Sequence, residues 1–136
     1  MKTPILLLVL SAALLGACRQ ETFEERCARE AREFTEKQCP RRLDPFTMMD
    51  SIVYDRSSRT VLYFYTLDGL MDVKVSFMQK LHDELQKLLI ENVVNSTELK
   101  QHKESKMNFA YKYFSKSSGD LLFEVRVTPE DYQINK

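Results

Sequence analysis

The stretch "LLFEVRVT" sets the strongest constraint on what this chain can fold into. Leu121, Phe123, Val125 and Val127 alternate with Glu124, Arg126 and Thr128. A strand turns successive side chains to opposite faces, so this run has one apolar face that a second layer must cover. Pro129 stops it, and "MNFAYKYF" lies just upstream across the polar turn "SKSSGD", which together predict a hairpin. "DSIVYD" and "TVLYFYTL", on either side of "RSSR", predict another. The cover is a segment running from Val73 to Val94, where Met78, Leu81, Leu85, Leu88 and Leu89 recur at helical spacing. The turn "DGLMD" before it supplies an N-cap at Asp72. Residues 23–37 carry Phe23, Cys27, Ala31 and Phe34 at spacings of four, four and three, which predicts one more helix. "CPRRLDPFTMM" holds two prolines and reads as a connection, and residues 95–106 read as polar and irregular. The expected fold is α+β: a two-layer domain with a four-stranded antiparallel sheet and amphipathic helices, in the order α-β-β-α-β-β.

The two hairpins resemble each other. "YDRSSRTVLY" and "FSKSSGDLLF" match at a shift of sixty residues, with Ser57 and Ser58 against Ser117 and Ser118. If the correspondence holds, Val61, Tyr63, Tyr65 and Leu67 form the buried face equivalent to Leu121, Phe123, Val125 and Val127. Leu62, Phe64 and Leu122 then sit on the opposite face. Adjoining apolar side chains on a nominal solvent face mark an interaction surface, so these three are the candidate partner-binding residues. The competing expectation is that the first helix covers them.

The N-terminus states an address. Lys2 is followed by a run from Ile5 to Ala17 that is apolar apart from Ser11. That is shorter than the roughly 20 residues a membrane-spanning helix needs, and it has the layout of a secretory signal. Leu15-Gly16-Ala17-Cys18 resembles the lipobox of bacterial lipoproteins. The resemblance implies removal of residues 1–17 as a signal peptide and lipidation at Cys18. It further implies anchoring in a membrane through several acyl chains. The 119 residues that remain are one domain's worth, with residues 18–22 as a lipidated tether and residues 23–136 as a single α+β domain. Arg19 stands where, in the enterobacterial sorting rule, Asp retains a lipoprotein in the inner membrane. The implied location is therefore the cell envelope, at the outer membrane.

Without residues 1–17 the charge balance shifts from 20 basic against 20 acidic residues to 19 against 20, because Lys2 is the one charge removed. A nearly neutral chain has no overall field to draw it to nucleic acid, and no nucleic-acid partner is expected. The two remaining cysteines, Cys27 and Cys39, meet an oxidising compartment, where an even pair reads as a disulfide. A continuous helix would hold their α-carbons about 18 Å apart. A disulfide requires about 7 Å or less. The bridge therefore requires the helix to stop before Cys39 and the chain to turn back. Their spacing fits neither a zinc site, with no histidine near, nor a C-x-x-C redox motif.

The chemistry expected is sparse. His82 and His102 stand alone, no H-E-x-x-H or G-x-S-x-G occurs, and the carboxylates Glu25, Glu30, Glu36, Asp83 and Glu84 read as solvated faces. No catalytic residue, metal or cofactor is expected. Six tyrosines form the other notable group, and Tyr63 with Tyr65, like Tyr111 with Tyr113, share a strand face. They read as packing under a helix, the alternative being a platform that stacks a sugar or peptide. The functional expectation is a membrane-anchored envelope lipoprotein acting as a non-enzymatic protein-binding or accessory module. The alternative is a small-ligand-binding protein or minor hydrolase of the envelope.

Overall fold

The structure, a computed structural model, describes residues 19–69 and 75–133. The elements in chain order are α1 (Phe23–Gln38), β1 (Arg41–Asp44), β2 (Thr47–Asp55), β3 (Thr60–Leu67), α2 (Val75–Asn95), α3 (Lys100–Glu104), β4 (Asn108–Ser115), β5 (Leu121–Val127) and α4 (Pro129–Gln133). The expected Asp72 cap and Cys18 lie outside the described residues.

The class is α+β, as expected, but the sheet has five strands and is mixed. Its order is β1-β2-β3-β4-β5; β3 and β4 run parallel and the other neighbours antiparallel. Two physical reasons account for the departure from four antiparallel strands. First, the stretch expected as a connection forms β1, because its prolines fall outside the ladder. Pro40 precedes the strand and Pro45 sits in the turn, so Arg41 and Arg42 pair freely with Met49 and Met48. All four β1 residues are exposed, so no apolar alternation marks the strand. Second, α2 and α3 form a crossover that returns the chain to the end of the sheet where β3 begins, and a strand starting there runs parallel to β3.

Helix α1 starts where the sequence caps it. Thr22 Oγ1 accepts from the Glu25 backbone N–H at 3.2 Å, and Glu25 Oε2 accepts from the Thr22 N–H at 2.9 Å. This reciprocal pair satisfies two of the orphan donors at the helix start. The helix then runs unbroken to Gln38, with Cys39 as its C-cap. That continuity corrects the expected Cys27–Cys39 bridge: both thiols are free, Cys27 buried and Cys39 partly so, held apart by three turns of helix.

All four helices lie on one face of the sheet. Cys27 and Ala31 of α1, and Leu85, Leu89, Ile90 and Val93 of α2, pack on a floor of Val61, Tyr65, Phe109, Tyr111, Tyr113, Val125 and Val127. Phe109, Met107, Val93, Val125 and Val127 are the largest fully buried apolar side chains. Paired strands put Tyr63 beside Tyr111 and Tyr65 beside Tyr113, and their rings stack at 4.7 and 4.9 Å. A side-chain plug sits on the part of β2 beyond its pairing with β1, and another on the β5 edge. Thr35 Oγ1 donates to the Ile52 carbonyl at 3.0 Å and accepts from the Ile52 N–H at 2.9 Å on β2. His82 Nε2 lies 3.1 Å from the Glu124 carbonyl on β5. Such plugs blunt an edge that would otherwise recruit another strand.

The sixty-residue correspondence holds for faces at Tyr63/Phe123, Tyr65/Val125 and Leu67/Val127, all of which belong to the core or pack on it. It fails at Val61/Leu121. A register shift between Tyr113 and Phe114 sets Leu121 opposite Phe114, and Leu121 is about half exposed. The bulge turns the side chain off the face that simple alternation gave it.

Candidate functional site

The candidate residues from the sequence separate in space. Leu62 and Phe64 lie on the face away from the helices, so α1 does not cover them. Phe64 stacks on Phe114 at 6.2 Å with Lys112 over its ring, and both Leu62 and Phe64 are half-buried by their sheet neighbours. Leu122 does not join them; next to the bulge it packs against the core. His82 serves the β5 edge. His102 sits against Phe23 and Phe109, with Nε2 3.5 Å from Cys27 Sγ. Burial pushes the Cys27 thiol up and the His102 imidazole down, so both are neutral at neutral pH. Among the described residues no three potential metal ligands converge, and no helix is long and apolar enough to cross a membrane.

An apolar groove lies between α2 and the β1–β2 hairpin, with a volume of about 620 Å³. One wall is a stripe on α2: Phe77, Leu81, Leu85 and Leu88, at spacings of four, four and three. With Asn92 at its end the stripe spans sixteen residues, about 22 Å of helix. The facing wall is Leu43 and Phe46 of the hairpin. Tyr65, Leu67 and Tyr113 form the floor. Phe46 is 64% exposed and Leu43, Phe77 and Leu88 about half exposed, so large apolar side chains stand in water along both walls.

Local chemistry holds the hairpin wall in place. Asp44 Oδ1 accepts from the Phe46 N–H at 2.8 Å, Arg42 donates to the Pro45 carbonyl at 3.0 Å, and the Asp68 N–H donates to the Phe46 carbonyl at 2.8 Å. Gly69, at φ +80°, lies beneath the Phe46 ring in a conformation that a side chain would strain. Among the described residues, Asp44 and Asp68 are the charged side chains that line the groove. Backbone hydrogen bonding from Phe46 lowers the Asp44 carboxyl, and the Lys116 side chain, 3.1 Å away, lowers that of Asp68. Both are anionic at neutral pH. Burial pushes the Tyr113 hydroxyl up to about 12 and Tyr65 higher still, so the floor stays neutral.

Sequence reasoning passed over Leu43, Phe46 and Phe77. A signal was present: Phe46 is an aromatic side chain in a stretch read as a connection, and Phe77 and Leu88 widen the apolar arc of α2 beyond what one sheet face can cover.

Residues 22–123 match the family described as "Domain of unknown function (DUF8479)". The chain belongs to that family. No curated protein sequence matches it. Three solved structures share its fold. One is a Pseudomonas aeruginosa protein described as secreted, 8% identical, covering 83% of this chain and 99% of its own, with a TM-score of 0.61. The type 2 secretion system pilotin of Vibrio vulnificus is 14% identical and covers 81% of this chain and 91% of its own, with a TM-score of 0.61. The type II secretion system pilotin of Vibrio cholerae is 14% identical and covers 79% and 90%, with a TM-score of 0.54. At these identities the likeness is one of fold.

Proposed function

We propose that this DUF8479 protein is a lipid-anchored, non-enzymatic accessory of the bacterial envelope that docks a polypeptide segment of a partner in the α2–hairpin groove. The observation that carries this reading is the pair of apolar walls: Phe46 and Leu43 face Phe77 and Leu88, all four partly in water, across a floor of buried tyrosines. Exposed apolar patches of this kind mark protein contacts. The occupant is an amphipathic helix of about four turns, matching the 22 Å stripe, with apolar residues at spacings of three and four. It carries Lys or Arg toward the hairpin, because both charged groups lining the groove are carboxylates.

A small ligand fits less well. The polar groups that would orient it are few, and Asp44 and Asp68 already hold hydrogen bonds. The lipobox-like Leu15-Gly16-Ala17-Cys18 and Arg19 support the anchor and the outer-membrane location. The fold shared with two secretion-system pilotins supports an accessory role beside an envelope machine.

The test is Phe46→Ser with Phe77→Ser in the lipidated protein. Because both side chains are at least half exposed, the thermal midpoint should change little, while a partner co-isolated with the wild type should be lost. Retention of the partner at wild-type stoichiometry would remove the groove from the account.

A further inference from the structure

We propose that a lysine-lined pocket at the tether end of the domain binds the phosphate headgroups of anionic phospholipids, forming a second membrane contact beside the lipid anchor. This rests on the anchored reading above. The pocket, of about 480 Å³, lies between the C-terminal end of α2, α3, the turn that follows α3, and α4. Lys100, Lys103, Lys106 and Glu104 are its charged lining, three cations against one anion, over an apolar floor of Val94 and Tyr132. Lys103 Nζ donates to the Val94 carbonyl at 2.8 Å, which fixes that ammonium at the rim. Lys100 is only loosely paired, 4.0 Å from Glu104 and largely in solvent. Lys106 makes no ion pair among the described residues, and it extends from a left-handed position at φ +55°.

The position of the pocket points to a membrane. Its α3 wall abuts the first two turns of α1: His102 meets Phe23 edge-on at 5.2 Å, and Arg26 donates to Gln101. Arg59 donates to the Ser105 carbonyl at 2.7 Å and pairs with Glu24 in the first turn of α1 at 3.2 Å, which brings Lys106 close to that turn. Residues 18–22 extend at most about 18 Å, so an anchor on Cys18 keeps this end near the bilayer surface. The hairpin wall of the groove, at Phe46 and Leu67, lies at the other end of β3, about 23 Å from where that strand begins. A basic contact near the bilayer surface adds attraction to anionic headgroups to whatever the acyl chains supply.

The test uses the mature chain with Cys18→Ser, which carries no acyl group, in sedimentation with phosphatidylglycerol vesicles and with phosphatidylcholine vesicles at low salt. Binding should be confined to phosphatidylglycerol and weaken as salt rises. Lys100→Gln with Lys106→Gln, both exposed and with the thermal midpoint measured as a control, should weaken it about 25-fold, roughly fivefold per lysine. Equal binding to both vesicles, or no binding, overturns the proposal. So does a double variant that binds like the wild type. Competition by millimolar inorganic phosphate that matches the loss in the double variant would make this a free-phosphate site and overturn the lipid assignment. Fatty-acid labelling of the unmutated chain reads the Cys18 anchor separately, so failure of one leaves the other standing.

Discussion

The bulge in β5 predicts that two side chains with the same apparent status in the sequence differ in energetic weight. Leu121 and Val125 both fall on the apolar side of "LLFEVRV", yet Val125 is fully buried and Leu121 is 49% exposed. Val125→Ala removes two buried carbon groups, about 1.6 kcal/mol of transfer free energy at about 0.8 each. The cavity left, on the order of 50 Å³, adds about 1.2 kcal/mol at about 24 cal/mol per Å³. The expected loss is about 3 kcal/mol. Leu121→Ala removes three carbons that are already half in water and leaves no closed cavity, so the loss is about 1 kcal/mol. With an unfolding entropy of about 2.1 cal/mol/K per residue over roughly 115 residues, these losses lower the thermal midpoint by about 12 and 4 °C. Urea and thermal unfolding of both variants measure the difference. If Leu121→Ala costs as much as Val125→Ala, the bulge and the register derived from it are wrong.

Other consequences follow from the caps and the buried imidazole. Thr22→Ala removes one half of the α1 capping box and should cost about 1 kcal/mol, read as a shift in urea midpoint. His102 has its folded pKa lowered by burial, so the unfolded chain binds the proton more readily. The stability it contributes is complete above the unfolded histidine value of about 6.5 and is lost as pH falls from there toward the lower folded value. Unfolding midpoints between pH 7.5 and 5 should therefore fall more steeply in the wild type than in His102→Asn; equal slopes would contradict this.

The sequence revealed much of the fold, but unevenly. The α1 helix was legible because Phe23, Cys27, Ala31 and Phe34 repeat at helical spacing, and α2 because its leucines repeat likewise. The hairpins were legible from alternation around polar turns. Strand β1 was not, because an exposed edge strand buries nothing and "RRLD" has no apolar alternation to display. The parallel pairing of β3 with β4 depends on where the crossover lands, which no local pattern records. The disulfide expectation failed on a single local question: whether α1 ends early. Its capping box and the i,i+4 pair between Arg29 and Glu33 support it through to Gln38 instead. The candidate interface was not legible. Of the three partner-binding residues named from the sequence, Leu62 and Phe64 lie on the sheet's open face and Leu122 packs on the core, and none lines the groove. The groove escaped because it is assembled from a hairpin and a helix about thirty residues apart.

The most direct test of the central claim is photo-crosslinking with a benzophenone amino acid placed at Phe46 in the lipidated protein in its own membrane, against a second protein carrying it at Phe64 on the open sheet face. The groove account predicts a single crosslinked polypeptide from position 46, mapped by mass spectrometry to an amphipathic helical segment with flanking basic residues, and none from position 64. A partner captured from position 64 and not from position 46 would contradict it and move the interface to the open face of the sheet.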